Sequence, residues 1–199
     1  MKKTEYKGSI VAGSLLVRES RIIARLLLDN VDDNAWHQAI ITDNVLQKRS
    51  PESAKRQARL IKERLSLVKP ECLKLIDKGG SDALVQSLLA ASIKHSRLLG
   101  DFMVGIVKPH WQVFKKHISC KDWQDYLEIC TQIDPKVDKW KETSRNKLRQ
   151  VVFRILAEAK YIDNTRSRKL LPVSLVPQVR TYLLNNSEDY VLKCMEITP

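Results

Sequence analysis

The stretch SPESAKRQARLIKERLSLV, residues 50–68, constrains the fold of this chain more than any other. Ser50 offers a side-chain oxygen to an orphan backbone N–H, and Pro51 has its φ preset for a first helical position. Glu52 suits the positive end of the helix dipole. Beyond them Ala54, Ala58, Ile61, Leu65 and Val68 share one face. Arg56, Arg59 and Glu63 lie opposite, flanked by Lys55 and Lys62. This spacing predicts a helix that buries one side and shows a basic one.

The helical period recurs along the chain. GSLLVRESRIIARLLLD carries apolar residues at 15, 16, 22, 23, 26 and 27, with Arg18, Arg21 and Arg25 between them. DNAWHQAIITDNVLQ predicts a second helix opened by Asp33 or Asn34. KPECLKLIDKGGSD reads as a linker: Gly79–Gly80 ends one helical region, and Ser81–Asp82 caps the next. The boundary set there gives a helical domain over 1–79 and another over 80–199. The stretch from Ala83 through SIKHSRLLGDFMVGIV is helical and mostly core, with Gly100 and Gly105 allowing close packing. Pro109 starts a shorter helix, PHWQVFKKHI. Ser119 and Asp122 form a variant capping box for DWQDYLEICTQI. Asp134–Pro135 is a break and KVDKW a brief helix. Thr143 or Ser144 then caps TSRNKLRQVVFRILAEAKYID. SLVPQVRTYLL and SEDYVLKCM close the chain. With 6 Gly, 7 Pro and 43% hydrophobic residues in 199, the class is mainly α.

Two segments follow the order of a helix-turn-helix unit, with two helices ahead of a basic third. The first ends in residues 50–68. The second, at about 119–185, ends in residues 143–163 and continues into YID, NTRSR and KLLPV. Two short apolar runs around a basic turn predict a small β-hairpin wing over 161–173, with Pro172 at the end of an edge strand.

The formal net charge is +12, and it is unevenly spread. Residues 44–69 hold eight Lys/Arg against two Asp/Glu, and residues 136–169 hold eleven against four, while the other segments are near balance. A solubilising surface needs no such clustering, whereas polyanion contact sites do. In the second segment Leu148, Val151, Val152, Ile155 and Ala159 share an arc of about 100°, the core face. Thr143, Asn146, Lys147, Gln150 and Arg154 lie on the far side. Asn and Gln pair bidentately with adenine in the major groove, and Arg or Lys with guanine. Glu142 and Glu158 flank this stretch, with no acidic residue between them. The candidate DNA-binding residues are therefore Lys48, Arg49, Lys55, Arg56, Arg59 and Lys62 in the first segment. In the second they are Arg145, Asn146, Lys147, Arg149, Gln150 and Arg154, followed by Arg166, Arg168 and Lys169 at the wing tip.

Other classes find little support. Cys72, Cys120, Cys130 and Cys194 form no CxxC, and His110 and His117 lack neighbouring ligands, so no metal or cofactor is expected. There is no Gly-rich phosphate loop and no nucleophile elbow, and the chain is expected not to be an enzyme. Asp122/Asp125 and Asp32/Asp33 read as helix-cap and surface residues. MKKTEYKGSIVAG lacks the apolar run of a secretory signal. The uncharged run Ala83–Ile93 falls short of the roughly 20 apolar residues a membrane span needs. A cytoplasmic protein with no membrane association is the expectation.

GSLLVRESRIIARLLLD, SPESAKRQARLIKERL and KHSRLLGDFM resemble the BrxA proteins of BREX bacteriophage-exclusion systems, over most of the chain. The resemblance implies a small, all-helical, non-enzymatic defence component that binds double-stranded DNA. It also implies work alongside a DNA methyltransferase, a phosphatase-like protein and ATPases. Proteins of this kind have been compared with the NusB antitermination fold, which binds RNA, and labelled inner-membrane proteins; the absence of a long apolar segment argues against the membrane label. An RNA-binding NusB-like module and a protein-interaction scaffold within a defence complex are the alternatives.

Overall fold

The computed structural model describes residues 4–197, and they are mainly helical. A 3-10 turn at Gly8–Ala12 leads into α1 (Val17–Leu28). Next comes α2 (Asp33–His37), whose N-cap Asp32 accepts from the Ala35 N–H at 2.7 Å; it runs on as a π turn, Gln38–Thr42. In α3 (Pro51–Leu65) Ser50 caps as its position predicts, accepting from the Ser53 N–H at 3.2 Å. Ala54, Ala58, Ile61 and Leu65 are buried on the expected face, joined by Leu60 and Arg64.

The stretch read as a linker is largely helix: α4 spans Pro70–Lys78 and buries Cys72, Leu73 and Ile76. Its start follows the same logic as α3, with proline at the first position and Glu71 in the first turn. Its C-terminal carbonyls are held from α1. Arg21 donates to the Ile76 and Gly79 carbonyls, and Arg25 reaches Asp77 through two nitrogens at 3.1 and 3.0 Å. Cations at a helix C-terminus complement its dipole, so these α1 arginines fasten two helices together.

The helix at the centre is α5 (Ser81–His95). Its uncharged run is buried nearly all round, the signature of a helix enclosed by others. It packs on α1, α3 and α4 and on three later helices: α6 (Arg97–Phe102), α10 (Pro177–Asn185) and α11 (Asp189–Met195). The Gln86 amide donates to the Ser174 carbonyl and accepts from the Val176 N–H, pinning the approach to α10. Gly100 lets α6 meet α11: a Cβ there would lie 2.3 Å from the Tyr190 hydroxyl. Gly105 has no such neighbour.

The predicted helix at 109–118 differs. Helix continues from α6 through a π turn, Met103–Val107, into α7 (Lys108–Gln112). Residues 115–118 are extended and pair with Arg168–Leu170 instead. In α8 (Cys120–Ile133) the Ser119–Asp122 capping box is complete in both directions. Burial would raise the Asp122 carboxyl, but bonds from Lys115, Ser119 and His110 outweigh it and hold the group well below its usual range. A 3-10 turn, Pro135–Lys139, precedes α9 (Glu142–Glu158). Lys141 rather than Thr143 or Ser144 is its N-cap, and no side chain caps it. Phe102, Trp123, Tyr126 and Phe153 form a cluster of edge-to-face and tilted rings that ties α6, α8 and α9 together.

Among the described residues the predicted β-hairpin wing is not formed. The runs on either side of the turn meet at one isolated bridge, Ile162 with Leu170, while Lys169 makes another with His117 of a third segment. The ladder does not lengthen because the Tyr161 N–H, its next donor, is spent on the Leu156 carbonyl at the end of α9. The tip itself is tight. Asn164 Oδ1 accepts from the Arg166 and Ser167 N–H groups, and Asp163 Oδ1 from that of Lys169.

One buried apolar cluster runs from Tyr6 to Ile197. No helix among the described residues is long and apolar enough to cross a membrane.

Candidate nucleic-acid interface

The basic residues of α3 divide by what they touch. Lys48 is half-buried against Glu19, so it fixes the approach to α3 rather than presenting a free cation. Arg59 pairs with Glu63 one turn on, at 2.8 Å, and that bond holds the Glu63 carboxyl below its usual range. The Lys62 ammonium lies 4.4 Å from the centre of the Trp36 ring. Arg49, Lys55 and Arg56 are exposed, and no acidic group pairs with any of them among the described residues. Between α3 and the preceding π turn lies a cleft of about 620 Å³ lined by Trp36, Ile40, Ile41 and Ala58, with Lys55, Arg59 and Lys62 at its edge.

The second segment sorts the same way. Leu148, Val152, Ile155 and Ala159 are buried and Val151 half-buried, as the periodicity predicts. Phe153 and Leu156 are buried as well, so the apolar arc of α9 is wider than expected. Arg145 does not face outward: its guanidinium donates to the carbonyls of Val137, Trp140 and Asp138, closing the 3-10 turn ahead of α9. Asn146 donates to Glu142 at 2.9 Å. Lys147, Gln150 and Arg154 are exposed in a row, with Arg149 half-buried beside them. None of these four has an ion pair or side-chain hydrogen bond among the described residues.

At the turn after α9, Arg166 and Lys169 are exposed. Arg168 is half-buried and engaged: its Nε donates to the Ile118 carbonyl at 2.8 Å and its Nη1 to the Thr165 carbonyl at 3.2 Å. Its guanidinium sits 5.7 Å from the centre of the Phe153 ring. Arg149, Gln150, Arg154, Thr165 and Arg168 come together around a cavity of about 250 Å³. A second, of about 560 Å³, lies between α8 and α9 and is lined by Lys121, Asp125, Glu128 and Arg149. Thr165 and Lys121 join the α9 residues, and Trp36 the α3 residues, only in the folded chain, so nothing in the local sequence groups them with the basic residues.

Both basic helices end at one joint. Arg64, near the end of α3, donates to the Gly13 carbonyl at 2.8 Å and also to that of Ser14. Glu158, at the end of α9, accepts from the Ser14 hydroxyl and the Leu15 N–H, each at 2.8 Å. Burial pulls the Arg64 pKa down to about 10 and the Glu158 charge opposes that, so the guanidinium stays ionised near neutral pH.

The family model described as BrxA matches residues 4–187. A protein of Paramagnetospirillum magneticum named BREX protein BrxA is 40% identical over 198 residues, with 100% of each chain covered. One of the same name from Escherichia coli is 31% identical over 189 residues, covering 95% of this chain and 89% of that one. The crystal structure of an uncharacterized protein from Magnetospirillum magneticum has the same fold. Its TM-score is 0.90 at 39% identity, over 98% of this chain and 100% of that one. By its match to the family model over residues 4–187 and to these relatives, the chain belongs to the BrxA family.

Proposed function

We propose that this BrxA protein is a non-enzymatic component of a BREX phage-defence system and acts there by binding double-stranded DNA. The observation that carries the reading is the outward row of α9. Lys147, Gln150 and Arg154, with Arg149 beside them, keep their hydrogen-bonding capacity unspent, on a helix without acidic residues between its two ends. Arg49, Lys55 and Arg56 give α3 a similar surface. Each basic helix is third in a helix-turn-helix-like order, and the turn with Arg166 and Lys169 stands where a wing tip would be. Binding rests mainly on phosphate contacts, which release counterions and make affinity fall steeply with salt. Asn146 gives one amide hydrogen to Glu142 and keeps its Oδ1 and second N–H for the duplex. Other BREX proteins, including the methyltransferase, phosphatase-like and ATPase components, are the proposed partners, in the cytoplasm.

The test is duplex binding across a salt series. Lys55→Glu with Arg56→Glu, and separately Lys147→Glu with Arg154→Glu, are expected to weaken binding at least about tenfold while the melting temperature stays put. Unchanged affinity in both double variants would remove the proposal. A second reading, RNA binding, gains from the missing wing, because a NusB-like helical RNA-binding module needs no hairpin at 161–173. Competition between duplex DNA and structured RNA at matched salt decides between them, and preference for RNA replaces the first reading with the second.

A further inference from the structure

The cavity between the start of α8, the middle of α9 and the turn at 164–168 is lined by three guanidinium groups and no carboxylate. Arg149 and Arg154 reach it from α9, and Arg168 from the turn. Gln150 and Thr165 add neutral polar groups, and Phe153 forms part of its wall. Cations gathered at this density repel one another unless an anion lies between them. In this protein the cost is not relieved internally. Neither Arg149 nor Arg154 has an acidic partner among the described residues, although Asp125 and Glu128 line the neighbouring cleft that Arg149 also borders. Asp163, the nearest carboxylate in the turn, is occupied by Ser167 and by the Asn164 and Lys169 N–H groups.

Arg168 is the preorganised member. Its Nε and Nη1 are committed to carbonyls, its plane is held near Phe153, and its backbone sits at φ 52°, where a non-glycine residue is strained. That fixing leaves Nη2 as a placed donor. Arg149 and Arg154, whose guanidinium groups are not engaged among the described residues, supply the paired N–H groups that match two oxygens of one phosphate. The volume, about 250 Å³, lies below the roughly 300–1,000 Å³ of sites that enclose a drug-sized ligand.

The geometry points to a phosphate subsite in which Arg149, Arg154 and Arg168 together grip a single phosphate group. This deepens the duplex-binding reading and rests on it for the source of the group, a phosphodiester of the DNA backbone. Free inorganic phosphate offers the same oxygens. On this assignment the subsite sets the register of α9 on the backbone and carries no base information.

Two measurements on the full chain test it. The first titrates inorganic phosphate against chloride at constant ionic strength and follows the arginine Nε–H resonances by NMR. Saturable shifts in wild type, absent in Arg149→Gln/Arg154→Gln, are expected. The second measures duplex affinity against salt. The same double variant is expected to lose at least about tenfold, and its log–log salt slope to shrink by about one, the share of a single phosphate. Lys147→Gln, outside the cavity, is expected to lose much less. If phosphate produces no saturable shift and the double variant loses no more than Lys147→Gln, the subsite is refuted, while duplex binding by wild type still upholds the broader reading. If phosphate binds and the double variant abolishes it, but wild type binds no duplex, the subsite stands as a free-phosphate site and the DNA reading falls. Arg168→Lys gives a check independent of charge. It keeps the cation and loses the carbonyl bonds that place the Nη2 donor, so phosphate binding that survives it intact also overturns the assignment.

Discussion

A basic side chain in this protein either holds the fold or faces outward, and its neighbours decide which. Arg145 and Lys147 are two residues apart on one helix. Arg145 spends its donors on three carbonyls of the preceding turn, whereas Lys147 meets only solvent. Removing the first strands buried acceptors, which costs more than the bond itself contributed. Arg145→Ala is therefore expected to lower unfolding stability by about 1–3 kcal/mol. Lys147→Ala is expected to change stability by less than about 0.5 kcal/mol and to weaken duplex binding instead. Urea unfolding of both variants beside duplex titrations checks the pair, and equal stability losses would contradict it. This division was not legible in the sequence. Charge counting placed Lys48, Arg145 and Arg168 with the outward cations, because their partners (Glu19, the carbonyls of the turn before α9, and the Ile118 carbonyl) are fixed by how the chain packs.

Among the elements, those with local signals were legible. Ser50 with Pro51, and Ser119 with Asp122, mark helix starts through bonds spanning three residues, and both form as read. The α9 core face followed from periodicity alone. Two local caps were misplaced, α2 being capped by Asp32 rather than Asp33 or Asn34 and α9 by Lys141 rather than Thr143 or Ser144, and the larger failures were non-local. The extended segment 115–118 leaves its helical neighbours to pair with residues 168–170, and the wing ends at a single bridge because the Tyr161 N–H returns to the Leu156 carbonyl of α9. Glycines show the same dependence on distant contacts. Gly100 and Gly105 look alike in sequence, but a Cβ on Gly100 would strike Tyr190, which bonds Asp101 at 2.8 Å and stacks under Arg97. A Cβ on Gly105 meets nothing within 4 Å. Gly100→Ala is expected to destabilise by about 1–3 kcal/mol through overpacking. Gly105→Ala is expected to stabilise by up to about 1 kcal/mol, since alanine loses less backbone entropy in a helical conformation. Thermal melts of the two variants moving in opposite directions are the expected result, and a shift in the same direction would count against this account of α6 and α11.

For the whole molecule the governing feature is the joint at Gly13–Leu15, where α3 and α9 both end. Arg64 holds Gly13 and Ser14 and Glu158 holds Ser14 and Leu15, so the placement of one basic surface relative to the other depends on this pair of ions. Arg64→Met strands the Gly13 and Ser14 carbonyls and leaves Glu158 without its compensating charge, at an expected cost of about 3 kcal/mol. Glu158→Gln keeps an acceptor for the Leu15 N–H and is expected to cost about 1 kcal/mol. Because each ion moderates the burial of the other, the double variant should lose less than the two single losses combined. If one duplex engages both helices, Arg64→Met also lowers duplex affinity at temperatures where the variant is folded, because fixed spacing lets the second contact form at high effective concentration. Unfolding titrations give the first result and duplex titrations of the folded variant the second. An affinity unchanged by a loosened joint would mean that α3 and α9 meet their ligands independently.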